Sequence, residues 1–254
     1  MPQISLPLLQ PTQAPKFILV YTGDLDKDIA AIGTKQAALN LVGGLSAPSK
    51  MPCSGYSIPA SKCKTGAKLK SVKDSVCYSC YAADDSAWLT QGKHRGMYAL
   101  PNVRNALERR FQALMDPLWV PAMVMLIKGS KSGYFRWHDS GDIQSVEHLA
   151  NIGLVAANTS TIKHWLPTRE FNIVQQWQQQ YSQPANLVIR VSAHMVDTVA
   201  PTRFSTSSAV ISDITKVSLP ATAQECKAYT NDNKCGTCRA CWDSTVPLVW
   251  YHKH

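Results

Sequence analysis

Tyr134-Phe135-Arg136-Trp137-His138 opens a series of short apolar runs rich in β-branched and aromatic residues, and this series decides the fold. His164-Trp165-Leu166-Pro167 and Leu187-Val188-Ile189-Arg190-Val191 follow it, and Ala209-Val210-Ile211 continues it. Between the first three runs lie Val146 to Ala157 and Glu170 to Tyr181, each with the length and apolar spacing of a helix. Strands alternating with helices of this length build βαβ units and a parallel sheet. An α/β fold is therefore expected. A complete or partial (β/α) barrel suits a chain of 254 residues better than a doubly wound sheet. No glycine-rich dinucleotide fingerprint or phosphate loop follows any of these strands.

Upstream of the series, Asn102 to Met115 carries Val103, Ala106, Leu107, Phe111 and Leu114 at helical spacing, and Trp119 to Ile127 reads as a second helix. Phe17-Ile18-Leu19-Val20-Tyr21 reads as a buried strand, after a Pro- and Gln-rich arm over residues 1–16. Residues 1–254 are expected to form a single α/β domain. Two segments break the rhythm: residues 47–81, a long basic loop with four cysteines, and residues 226–241, a polar tail with four more. Loops as long as the first are usually functional in compact domains.

The composition, 45% apolar and 17% charged, is that of an ordinary globular protein. No apolar run reaches membrane-spanning length, and Met1-Pro2-Gln3-Ile4 does not start a signal peptide, so a cytoplasmic chain without membrane association is expected. In that compartment thiols stay reduced, and clustered cysteines favour metal over disulfide. The net charge of +9 raises nucleic acid as a partner. Part of the excess is local, at Lys62, Lys64, Lys68, Lys70 and Lys73, where the simplest reading is a solvated loop that offsets thiolate charge.

All eight cysteines fall in the two segments. The first set is Cys53, Cys63, Cys77 and Cys80. The second is Cys226, Cys235, Cys238 and Cys241. A two-residue gap, as in Cys77-Tyr78-Ser79-Cys80 and Cys235-Gly236-Thr237-Cys238, lets neighbouring thiolates turn to one ion or cluster. Thiolates select soft metals, in practice iron–sulfur clusters or zinc. The overlapping close pairs of the second set favour two iron–sulfur clusters, with zinc the alternative. The division into four and four is an assumption, and a cluster held by only three thiolates would leave one iron open for chemistry.

In α/β sheets the loops after the carboxyl ends of the strands carry the site. Those positions hold His138, Asp139, Asp142, Arg169, Glu170, Ser192 and His194, which are expected to converge and to supply acids, bases and an anion clamp. Each alone is as well explained as a helix cap or a satisfied core group, with Asp142 capping the helix that follows. Arg136 and Arg190 would then serve the architecture, and Trp137, Trp165, Trp177 and Trp242 the packing. Ser140 and Ser192 lack the Gly-x-Ser-x-Gly context of a hydrolase elbow.

Four stretches together, Cys77 to Ala82, Phe135 to Asp142, Trp165 to Glu170 and Cys235 to Trp242, resemble the gene-product-88-like proteins of bacteriophages and prophages. The resemblance covers about residues 51–251, and implies a phage origin and iron–sulfur clusters. A more distant likeness is to radical S-adenosylmethionine enzymes, which also place a cysteine pair early in an α/β barrel. Their three-cysteine signature is absent here, so S-adenosylmethionine itself is in doubt. The expected function is an iron–sulfur enzyme acting on a small molecule by redox or radical chemistry. One alternative is hydrolysis of an ester-like substrate with an open iron as Lewis acid. Another is a zinc-stabilised module that binds nucleic acid or a host protein.

Overall fold

A computed structural model describes residues 20–83 and 97–253. The expected arm and Phe17 to Leu19 lie outside the described residues. Val20 and Tyr21, the end of that expected strand, are not in a strand, and the Tyr21 N–H donates to Asn151 Oδ1 at 2.9 Å.

Seven strands form one sheet: β1 (Gly55–Tyr56), β2 (Tyr134–Trp137), β3 (Lys163–Thr168), β4 (Leu187–Ser192), β5 (Ser207–Ile211), β6 (Gln224–Glu225) and β7 (Leu248–His252). Their order is β1-β2-β3-β4-β5-β7-β6, and every neighbouring pair is parallel. The parallel α/β sheet is thus as expected, but it is open. Among the described residues β1 pairs with β2 alone, apart from one bridge to Ser46, and β6 pairs with β7 alone. The barrel is corrected to an open sheet, because β6 enters as an outer edge instead of extending the series toward β1.

The helices are α1 (Leu25–Ile32), α2 (Lys35–Leu41), α3 (Thr65–Leu69), α4 (Pro101–Ala113), α5 (Trp119–Lys128), α6 (Val146–Ala157) and α7 (Phe171–Gln180). Ser145 caps α6 by accepting the His148 N–H at 3.1 Å, so Asp142 is not its cap. The helix series α5, α6 and α7 packs on one face of the sheet. Phe135, Trp137, Leu166, Leu187, Ile189 and Val191 meet Val124, Leu149, Ile152, Val174 and Trp177 there in a single apolar core. His164 lies inside this core. Trp137 Nε1 donates to its Nδ1 at 3.2 Å, and its Nε2 meets Thr159 Oγ1 at 2.8 Å.

Side chains alternate along a strand, so Tyr134, Arg136, Trp165, Pro167, Val188, Arg190 and Ser192 point to the other face. A parallel sheet needs both faces covered. Here the second cover comes from the cysteine-rich segments. Trp242 packs edge-on against Tyr134 and Trp165, with ring centroids 5.4 and 5.1 Å apart, and its Nε1 donates to Phe135 O at 2.8 Å. Arg190, fully buried, donates to the backbone oxygens of Ala240, Cys241, Asp243, Val246 and Ser207 at 2.6–3.3 Å. It clamps the tail to the sheet through carbonyls. No described helix is long and apolar enough to cross a membrane.

Candidate functional site

The segment between Cys63 and Cys80 forms no strand, and its one short helix, α3, breaks the expectation of an irregular loop. What orders it is a set of bonds to the carboxyl ends of the strands. Glu170, just past β3, accepts the Thr65 N–H on Oε1 and the Thr65 hydroxyl on Oε2, both at 2.7 Å. Gln144 accepts from Lys64 Nζ through its carbonyl at 2.5 Å and donates from Nε2 to Lys62 O at 3.1 Å. Past β4, Val76 N donates to His194 O and Val196 N to Asp74 O, both at 2.9 Å. The segment is therefore strapped across the ends of β2, β3 and β4.

This strap regroups the thiols. Burial pushes the Cys63 thiol well above its usual range, with Asp142, Cys80 and Cys77 adding to the rise and Arg169 opposing it. Burial also raises Cys77, against Arg169 and with Cys80. Cys63 and Cys77 Sγ both lie within 3.6 Å of the place where a Cβ on Gly66 would sit, and Cys63 Cβ lies 3.0 Å from it, so glycine lets α3 pack closely against both cysteines. Cys53 lies elsewhere. It is pushed up to about 12 by burial, with Arg136 opposing, Cys235 adding and Arg239 opposing. Lys50 O, three residues before Cys53, accepts the Cys235 N–H at 3.1 Å. The structure thus divides the cysteines into Cys63, Cys77 and Cys80 on one side, and Cys53 with Cys226, Cys235, Cys238 and Cys241 on the other. In the second group Cys241 is pushed up to about 12 by burial, against its bond to the Tyr251 hydroxyl at 3.4 Å and against Arg190.

Both groups border one cavity of about 750 Å³. Cys63, Cys77 and Cys80 line it from the strap, and Cys226, Cys235 and Cys241 from the tail. The loop His138-Asp139-Ser140-Gly141-Asp142 lines it too, with Arg136, Arg169 and Ser192. Asp142 is held by the Thr168 hydroxyl at 2.6 Å, Arg169 N at 2.9 Å and Ile143 N at 2.8 Å. Burial nonetheless pushes its carboxyl up to about 6, with those bonds opposing and Glu170 adding. Burial holds His138 well below the usual histidine range, helped by His148 and Arg136, with a loose backbone contact at Ser140 working the other way. Neither ring nitrogen of His138 meets hydrogen-bond geometry. Asp139 Oδ2 accepts from the Tyr98 hydroxyl at 2.8 Å, and Asp139 O from the Tyr81 hydroxyl at 2.7 Å. Among the described residues no three His, Cys, Asp or Glu side chains stand close enough to share a single metal ion.

Of the polar residues expected to converge, His138, Asp139, Asp142, Arg169 and Ser192 do so at this cavity. Glu170 and His194 do not line it. The Glu170 carboxylate is taken up by Thr65, and the His194 ring stacks on Phe171 at 4.1 Å while Nε2 meets Arg169 O at 3.0 Å. The lysine cluster is not a free basic strip either, since Lys62 lies 3.9 Å from Glu108 and Lys64 binds Gln144 O. Arg136, read from sequence as architecture, acts on Cys53 and Cys235 of the tail group and stacks 4.6 Å over Trp165 at the cavity wall. Tyr98 and Gln144 have no sequence signal that would single them out. Gly66 has one, a glycine flanked by cysteines on a lysine-rich loop.

Comparison with known proteins gives one match. The family model described as gene product 88 matches residues 22–249. No curated protein and no solved structure matches, and none of the comparisons carries the likeness to radical S-adenosylmethionine enzymes.

Proposed function

The chain belongs to the gene product 88 family, and from that premise we propose that it is an iron–sulfur enzyme whose active site is the cavity between the strap and the strand ends. The observation that carries this reading is that one cavity has thiols on two of its sides and unpaired polar groups of the β2 loop between them.

The donor set fits thiolate-bound iron. Two thiols of the strap group, Cys63 and Cys77, approach the same point beside Gly66, each Sγ within 3.6 Å of where its Cβ would sit. Each group also has guanidinium charge at hand to offset a cluster's negative charge, Arg169 for the first and Arg136, Arg190 and Arg239 for the second. Cys63, Cys77 and Cys80 would hold one cluster. Four of Cys53, Cys226, Cys235, Cys238 and Cys241 would hold the other. Such clusters supply one-electron chemistry, or a Lewis-acid iron where a protein thiolate is missing.

The chain's own residues do the rest. Arg136 and Arg169 hold negative charge in the cavity. Asp142, poised at about 6, exchanges a proton near neutrality. His138 stays a neutral imidazole that accepts or donates a hydrogen bond. With three thiolates in the first group, redox or radical chemistry beside the strap is the favoured reading. Hydrolysis of an ester-like substrate is the second, supported by the proton-handling position of Asp142.

The test is anaerobic purification with iron, sulfide and visible-spectrum analysis. A brown protein with matching iron and sulfide is the expected result. A colourless protein loaded with zinc would overturn the reading, and would revive that of a zinc-stabilised module for nucleic acid or a host protein.

A further inference from the structure

Six residues of the cavity wall carry buried polar atoms that nothing in the described chain satisfies. They are Arg136 Nε, both ring nitrogens of His138, Asp139 Oδ1, Ser140 Oγ, Trp165 Nε1 and Arg169 Nε. These seven atoms stand among eleven such atoms in all the described residues, so the unsatisfied groups are gathered on this wall. Leaving a buried polar atom unpaired is destabilising, and a fold that tolerates seven together reserves them for a ligand. His138 and Ser140 are each only 4% exposed, so bulk water does not serve them. The loop is also held in a strained form. His138 has φ 50°, fixed by its N–H on Tyr56 O at 2.8 Å, and strain of this kind collects at ligand sites.

The chemistry of these atoms describes the ligand. Arg136, Arg169 and Trp165 offer N–H groups that only donate, and two of them are fixed positive charges. The Ser140 hydroxyl and the His138 imidazole donate or accept. Asp139 Oδ1 only accepts when ionised, and the bond from Tyr98 to Oδ2 leaves Oδ1 as the free oxygen. The complement is an anion with several oxygens and at least one hydrogen-bond donor of its own. A cluster on Cys63, Cys77 and Cys80 engages Arg169 through charge, yet it has no donor for Asp139.

We propose that the wall formed by Arg136, His138, Asp139, Ser140, Trp165 and Arg169 binds a small organic acid that carries a hydroxyl or amino group. The carboxylate meets the arginines, and the hydroxyl or amino group donates to Asp139 Oδ1. A cavity of about 750 Å³ has room for such a molecule beside a metal group, within the ordinary range of ligand pockets. This inference rests on reading the cavity as the active site, and it names the substrate class of that site.

The experiment is calorimetric titration of the anaerobically purified full chain with malate, aspartate, succinate and inorganic phosphate, with iron measured on the same sample. Malate, aspartate and succinate share a skeleton and differ at one substituent. Malate or aspartate is expected to bind at least tenfold more tightly than succinate. Asp139→Ala is expected to reduce that preference to about onefold, and Arg169→Met to remove binding of all three. If Asp139→Ala does not fold, Asp139→Asn keeps an acceptor for Tyr98 and is expected to lose the preference for aspartate. Binding of phosphate alone, equal binding of succinate, or a preference indifferent to Asp139 overturns the inference. Iron-loaded protein that binds none of the acids also overturns it while leaving the proposed function in place. Iron-free protein that still discriminates malate from succinate does the reverse.

Discussion

His138 and Gly141 set the shape of the β2 loop, and both have positive φ, 50° and 75°. Gly141 has no room for a side chain, since a Cβ there would lie 2.3 Å from Ile58 Cγ1 and 2.7 Å from Ile58 O. Gly141→Ala is expected to cost about 3 kcal/mol in urea unfolding, from overpacking and backbone strain together. His164 makes a second residue-level prediction. Burial holds it at about 4, below its ordinary 6.5, so the folded state binds fewer protons than the unfolded state between those values. Its contribution is complete above pH 6.5 and is lost as pH falls through 4, by roughly 3 kcal/mol over the window. Denaturation at pH 7 and pH 4.5 should show the loss, and His164→Asn should flatten the slope, leaving the comparable share that His148, held at about 3, contributes with the same sign over that window. The polar block after β2 was readable as a site from its residue types. That Glu170 and His194 are turned away was not readable, because their partners, Thr65 and Phe171, lie on other elements and give no periodic signal.

Elements with a strong period were legible almost to the residue. The helix over Val146 to Ala157 is α6 itself, and the runs at 164–167 and 187–191 are the cores of β3 and β4. Elements held by tertiary bonds were not. α3 has five residues and exists because Glu170 caps it, and β7, Leu248–His252, sits between β5 and β6 out of chain order. Two element-scale predictions follow from the clamps. Glu170→Ala frees the strap, and, on the proposed cluster assignment, is expected to lower the iron held at Cys63, Cys77 and Cys80 while sparing the tail group, read as a partial fall in iron per chain. Arg190→Lys keeps the charge but loses the planar fork that reaches five carbonyls. It is expected to cost roughly 3 kcal/mol and to expose Trp242, which tryptophan fluorescence would report as a red shift.

At the scale of the whole molecule, the seven parallel strands place cysteines far apart in sequence around one cavity. The chain order suggested two sets of four, whereas the fold joins Cys53 to the tail group through Cys235 and Arg136. With the two proposed clusters in place, Cys53→Ala should therefore perturb the electron paramagnetic resonance signal of the tail group and leave that of the strap group unchanged. Cys63→Ala should do the opposite. Equal effects of both on one signal would restore the four-and-four division. No pattern within the sequence separates these cases, because the approach of Cys53 to Cys235 depends on where the tail crosses the sheet.

The two faces of that sheet are unequal. One is roofed by helices whose backbone bonds are internal, the other by loops that borrow theirs from Arg190, Gln144 and Glu170. Segments with few hydrogen bonds of their own open at less than the global free energy. The looped roof can therefore lift while the helical half stays folded, so that the proposed clusters would reach the interior without the sheet being dismantled. Hydrogen exchange should then show amides of the strap and tail exchanging together, ahead of those in β3 and β4.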